Sequence, residues 1–192
     1  MHTTAKQRIA IDMDEVLADT LTHYVTHYNS EFGENITRAD LEARKLADII
    51  PSDRRARLRH YALSAGFFRD IPLMPGSAEV FAELRERYEV FIATAAMEFP
   101  TSFNEKFAWI KTHFPDFPES HIVFCGDKGI LSTDFLLDDS PRQLARFTGK
   151  PFLFSAPHNR DEVRFPRLHD WADVRRQFLG YDGKVMAQEV LE

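Results

Sequence analysis

Five short apolar runs punctuate the chain: RIAID (8–12), YEVFIATA (88–95), HIVFC (121–125), DFLLDD (134–139) and PFLFSA (151–156). Each is too short for a helix, and charged or turn residues flank it, so each reads as a buried strand. Between them apolar residues recur at helical spacing. Leu17, Leu21, Tyr24, Val25, Tyr28 and Phe32 form one such stripe, Val80, Phe81, Leu84 and Tyr88 a second, and Phe103, Phe107 and Ile110 a third. A helix is also expected near residues 141–147, and a last amphipathic stretch spans 171–178. Strands that alternate with helices in this way predict an α/β fold, a doubly wound parallel sheet covered on both faces.

The first crossover is the exception. Residues 20–74 are too many for one helix, and the segment is charged, helix-prone and broken by Pro51. It reads as a small helical cap inserted after the first strand, with residues 1–19 and 75–180 forming the core. Pro75-Gly76 marks the turn back into the core, and Ser77 is the expected N-cap of the next helix. The basic run DRRARLRH (53–60) reads as a solvated helix face. Residues 181–192 have weak periodicity and are left unassigned.

Composition narrows the function. The 192 residues carry a net charge of -6, against the basic face of a nucleic-acid binder. No apolar run approaches the roughly 20 residues of a membrane helix, and MHTTAKQR has no signal-peptide core. The single Cys125 cannot pair internally and reads as a small core residue. A reducing cytoplasm is the expected location.

The carboxylates carry the chemistry. Asp12 and Asp14 follow the first strand, and Asp138 and Asp139 close the fourth. Open α/β sheets bind ligands at the carboxyl ends of their strands, and side chains two apart on a strand face one way. Acids after strands are also common caps and turn formers. Several converging at one edge would repel, at about 4 kcal/mol per like pair at ~4 Å and an effective dielectric of 20. A hard cation removes that cost, and carboxylate oxygens suit Mg²⁺. An EF-hand is excluded, because Glu15-Val16-Leu17 lacks the loop's third oxygen position and its glycine. Thr94 ends another strand, and Lys128 follows the third in GDKG. Either alone would be unremarkable, but in this order with the two acid pairs they suit phosphate chemistry.

That ordered set resembles the haloacid dehalogenase superfamily. DMDEVLADT, GFFRDIPLMPGS, VFIATAAMEFPTSF, FAWIKTHFP, DKGILSTDFLLDD and HNR together resemble its 5′(3′)-deoxyribonucleotidases. The resemblance implies a nucleoside monophosphate substrate and Mg²⁺. It makes Asp12 the nucleophile and Asp14 the general acid and base. Asp12, the Asp14 backbone carbonyl and Asp139 would ligate the metal, with Asp138 orienting its waters. Thr94 and Lys128 would hold phosphate, and Phe67, Phe68 and Thr20 would line the nucleoside pocket. Two positions depart from the family pattern, Glu15 where glycine is typical and Ala95 where several members have serine. Two other readings are compatible with the residues: a phosphatase of another small metabolite such as a sugar phosphate, and a non-catalytic nucleotide-binding module. The oligomeric state is left open, with a homodimer among the options. His23 and His27, one helical turn apart, read as an ordinary helix face because no third ligand is apparent.

Overall fold

The structure is a computed structural model that describes residues 5–43 and 46–181. The sequence expectations for the tail therefore fall, from residue 182 on, outside the described residues.

Six strands form one parallel sheet: β1 Arg8–Ile11, β2 Glu89–Thr94, β3 Ile122–Phe124, β4 Phe135–Asp138, β5 Lys150–Phe154 and β6 Arg167–Leu168, in the order β3-β2-β1-β4-β5-β6. The order reverses at β1, which pairs with β2 on one side and β4 on the other. The crevice at such a reversal is where open α/β sheets bind ligands. Alternation along the strands divides the core. Ile9, Ile11, Val90, Ile92, Leu137, Phe152 and Phe154 pack into the larger cluster. Ala10, Ala93, Leu136 and Leu153 face a smaller one with Leu144, Phe147 and Cys125. Cys125 is buried, as expected, and burial pushes its thiol pKa up. The two-residue β6 was not expected from sequence.

Four helices lie between β1 and the return to the core: α1 Thr20–Phe32, α2 Arg38–Ala43, α3 Leu46–Ile49 and α4 Ala56–Leu63. Asp19 caps α1 by accepting from the Thr22 N–H, and Gly33 at φ 65° ends it. The basic run does more than meet solvent. Arg54 pairs with Glu34 and lies 4.4 Å over the Phe32 ring, and Arg57 pairs with Glu31, which clamps α4 to α1.

In the core follow α5 Ser77–Arg87, α6 Ser102–His113, α7 Pro141–Leu144 and α8 Trp171–Leu179. Three expectations need correction. The N-cap of α5 is Gly76, at φ 80°, and Ser77 is the first helical residue. Its buried hydroxyl instead donates to the Leu17 carbonyl. The expected stripe on α6 is also rotated: Ser102, Lys106, Trp109 and Ile110 face inward, while Phe107 is exposed. The helix after β4 is shorter than expected and stops at Leu144.

Candidate active site

The chain leaves β1 with the Asp12 N–H bonded to the Leu137 carbonyl at 2.9 Å. It then folds into a tight loop in which the Leu17 and Ala18 N–H groups both donate to the Met13 carbonyl. The turn places Glu15 at φ 58°, a left-handed conformation that suits glycine better. Neighbours hold the loop from several sides. Ser77 donates to Leu17, Trp171 Nε1–H donates to Val16 at 2.8 Å, and Met74 N–H donates to Leu17 at 2.8 Å.

Asp12 and Lys128 meet at the carboxyl end of this strand pair. Lys128 Nζ donates to Asp12 Oδ1 at 2.6 Å and to Asp138 Oδ2 at 2.5 Å. Asp138 Oδ1 accepts from the Ser140 N–H at 2.8 Å. Gln143 fixes the lysine's loop, accepting from the Lys128 N–H and donating to the Gly126 carbonyl, both at 3.0 Å. Gly129 is needed next door, because a Cβ there would meet the Arg146 carbonyl oxygen at 2.8 Å. Burial pushes the Asp12 pKa up to about 7 against the pull of Lys128, with the Asp138 and Asp14 charges adding to the rise. Asp139 is raised well above the usual carboxylate range by burial, then by Asp12 and Asp138. Burial alone would lower the Lys128 ammonium, but Asp12 and Asp138 hold it above its ordinary value.

Asp14 meets a second lysine that the motif reading missed. Lys106 on α6 is fully buried and donates to Asp14 Oδ2, to Thr94 Oγ1 at 3.0 Å and to the Ala95 carbonyl at 3.3 Å. Thr20 Oγ1 donates to Asp14 Oδ1 at 3.2 Å. Asp14, Thr94, Thr20 and Lys106 thus form one polar cluster. The available signal was a lysine at helical spacing from Ser102, Trp109 and Ile110, where an unpaired ammonium could not be left.

A cavity of about 310 Å³ opens over both clusters, lined by Asp12, Asp14, Lys128 and Asp138, with Ala95, Met97, Glu98 and Arg142 at its sides. Met97, Glu98 and Arg142 were not singled out from sequence. Phe67 and Phe68 are almost fully buried and do not line this cavity. Phe68 lies 5.1 Å over the Lys106 ammonium and 5.7 Å from the Phe99 ring. Glu105 anchors their segment by accepting from the N–H groups of Gly66 and Phe68 at 2.6 and 3.0 Å. The Glu15 carboxylate turns toward α1 and accepts from the Leu21 N–H at 2.5 Å, with Arg38 3.7 Å away. Burial raises its pKa to about 7.

The donor set suits a hard divalent cation. Carboxylate oxygens of Asp12, Asp138 and Asp139 all lie within 4.8 Å of one another, and all three residues are buried. Lys128 pairs with Asp12 and Asp138, and His158 Nε2 lies 3.5 Å from Asp139, so among the described residues three acids face one permanently charged partner and the cluster has charge to spare for a cation. The Asp14 carboxylate stands apart from this trio.

Comparisons with known proteins agree with that chemistry. The chain has the fold of a haloacid dehalogenase-like protein from Streptococcus pneumoniae, with a TM-score of 0.55 at 14% identity over 90% of this chain and 98% of that one. A relative of that fold from Xanthomonas campestris gives 0.51 at 14% identity, over 94% and 95%. Fold and relatives together define a hydrolase of phosphoric monoesters. The family model described as 5' nucleotidase, deoxy (pyrimidine), cytosolic type C protein matches residues 6–182, and the chain belongs to that family. The 5'(3')-deoxyribonucleotidase of Bacillus subtilis is 36% identical over 174 residues, covering 91% of this chain and 99% of its own. A Staphylococcus epidermidis protein carrying the same name provisionally is 45% identical over 173 residues, covering 90% and 96%. Among the described residues, no helix is long and apolar enough to cross a membrane.

Proposed function

We propose that this chain is a Mg²⁺-dependent 5′(3′)-deoxyribonucleotidase working through an aspartyl-phosphate. The observation that carries the reading is the pairing of each acid of the DxD motif with its own buried lysine under one cavity. Mg²⁺ held by Asp12, the Asp14 carbonyl and Asp139, with Asp138 behind them, would supply charge neutralisation for the substrate phosphate.

Asp12 attacks phosphorus through the oxygen not bonded to Lys128. Its neighbours lower the repulsion between a carboxylate and an anionic phosphate, and Lys128 remains to hold the phosphoryl oxygens. Asp14 donates a proton to the departing nucleoside oxygen and later takes one from the water that hydrolyses the intermediate. Lys106 and Thr20 orient Asp14, and Thr94 joins Lys128 in binding phosphate. Residues 20–74 form the cap that selects the nucleoside, and Phe67 and Phe68, buried behind the cavity, back that cap from within. The names of the relatives support the nucleotide substrate.

The test is a panel of phosphoesters read by phosphate release. Deoxyribonucleoside monophosphates should give the highest kcat/KM, ribonucleotides should follow, and thorough chelation should abolish turnover of all. Rapid hydrolysis of a sugar phosphate with poor use of every nucleotide would move the substrate assignment. Full activity after chelation would remove the metal. Mass spectrometry of quenched reactions should place the phosphoryl group on the peptide containing Asp12.

A further inference from the structure

The two histidines that the catalytic reading leaves aside face each other. His23 Nε2 and His27 Nε2 lie 3.2 Å apart on α1, with the rings edge to face at 4.6 Å between centroids. Neighbouring rings hold both in place. His23 packs on Phe67 at 4.7 Å, and His27 packs on Phe67 at 5.5 Å and stacks on Tyr61 at 5.6 Å.

We infer that His23 and His27 form a second metal site, on the cap, for a borderline transition-metal ion such as Zn²⁺ or Ni²⁺. Zinc–imidazole bonds are about 2.0–2.1 Å long. Two nitrogens 3.2 Å apart then subtend roughly 100–105° at the ion, near the tetrahedral angle. Binding replaces the proton the two nitrogens share with the ion. The ring that donates moves its one proton from Nε2 to Nδ1 through solvent, so both ligands stay neutral imidazoles, and water completes the coordination on the exposed His27 side. Asp70 acts electrostatically on both rings, although its carboxylate is already paired with Arg69 at 3.0 Å. Glu31, one turn further along α1, is committed to Tyr61 and Arg57.

The ligand chemistry separates this site from the catalytic one. The described residues contain one three-acid cluster, Asp12, Asp138 and Asp139, whose oxygen donors suit a hard ion. The cap pair offers imidazole nitrogen, which Mg²⁺ binds poorly and Zn²⁺ or Ni²⁺ bind well. An ion here would also fix the Phe67 ring, whose neighbour Phe68 covers Lys106.

Calorimetric titration of the full chain with Zn²⁺, in excess Mg²⁺ to fill the carboxylates, tests the assignment. The wild type should take up one equivalent. His27→Ala, at an exposed position, should weaken binding by at least about tenfold, as loss of an ordered imidazole does. His23→Gln should do the same, with circular dichroism reporting whether each variant keeps its fold. Co²⁺ should give an intense visible band in the wild type, absent in His27→Ala. Uptake should fall away below about pH 6, where imidazoles protonate. No uptake beyond Mg²⁺-saturated controls would overturn the site. So would binding that survives in His27→Ala and disappears in Asp139→Asn.

Discussion

The two buried lysines of the site solve one problem in different surroundings. Lys128 sits among three carboxylates, and the side chains of Asp12 and Asp138 are 9% and 1% exposed. Lys106 serves a single carboxylate, Asp14, whose side chain is 29% exposed, and spends its other bonds on Thr94 and the Ala95 carbonyl. The first cluster is over-supplied with negative charge and mostly buried, meeting solvent only through the cavity. The second is balanced and open to water. A nucleophile and its phosphate benefit from the closed setting, because dry electrostatics are strong. A residue that must hand protons to a leaving group and take them from water needs the open one. The difference fits the proposed division of tasks between the two acids of a symmetric-looking motif.

The largest effect should come from Asp12→Asn. Turnover should drop on the order of 10⁴-fold or more, as when a nucleophile is removed from other enzymes. The protein should stay folded, since the amide keeps the shape and removes a carboxylate whose pKa burial has already pushed up. Phosphate-release kinetics and thermal melting would together decide this. A variant that lost both activity and fold would break the closed-cluster reading.

Exchanging the lysines sharpens the comparison. Lys128→Met strands three buried acids and should cost about 3–5 kcal/mol of stability, the range for a broken buried pair. Added Mg²⁺ should restore part of the melting temperature. Lys106→Met leaves Asp14 able to meet water, so its stability cost should be smaller. Its kcat should still fall about 10²–10³-fold, the loss typical of a preorganised donor. Equal stability losses for the two variants would mean that exposure of the partner acid does not separate the clusters.

Glu15 gives a pH test of the loop that joins them. Its pKa is raised to about 7 in the fold from an ordinary 4.5, so the folded state holds the proton more tightly than the unfolded chain. Its contribution therefore favours folding at acid pH and is lost as pH climbs from about 4.5 to about 7. Glu15→Gln should flatten that part of the stability curve, by on the order of 2–3 kcal/mol at one unit per 1.36 kcal/mol. Denaturant titrations at pH 5 and pH 7.5 measure it. A parallel pair of curves for variant and wild type would remove Glu15 from the account.

The smallest effect concerns the cap wall. Phe68→Leu should raise KM for nucleotides several-fold while leaving a small aryl phosphate nearly unchanged, since only the nucleotide reaches the outer pocket. The deoxy preference itself should stay moderate, because an apolar wall rejects an added hydroxyl by only about a hundredfold. Matched deoxy and ribo pairs give the ratio. A uniform KM rise for every substrate would point to Lys106 and the phosphate instead.

Residues near one another in the chain were the legible ones. The strands announced themselves as short apolar runs, and Asp12, Asp14, Asp138, Asp139, Thr94 and Lys128 were found because each follows a strand that ends at the same edge. Lys106 was missed because its one local mark, helical spacing from Trp109 and Ile110, was overridden by the stripe read through Phe103 and Phe107. It sits within a helix, and only the fold reveals that its face turns inward toward Asp14. Ser77 was misread for a related reason. A serine at a helix start is a good cap by local chemistry, yet a carbonyl 60 residues earlier in the chain claims its hydroxyl. Met97 and Glu98 lie in one of the stretches that carry the family resemblance but have no role marked by their residue type, Arg142 lies in none, and all three enter the site only through the shape of the cavity. The two strand residues at Arg167–Leu168 are too few for any periodicity.

The Trp171 indole bonds to Val16, 155 positions earlier, so the loop bearing both acids is braced by an element made long after it. On the ribosome the DxD loop must wait for the whole of the sheet before this brace arrives. Until α8 docks, the nascent chain carries both carboxylates in a loop that lacks one of its holds, and a chain truncated before α8 should lack it permanently.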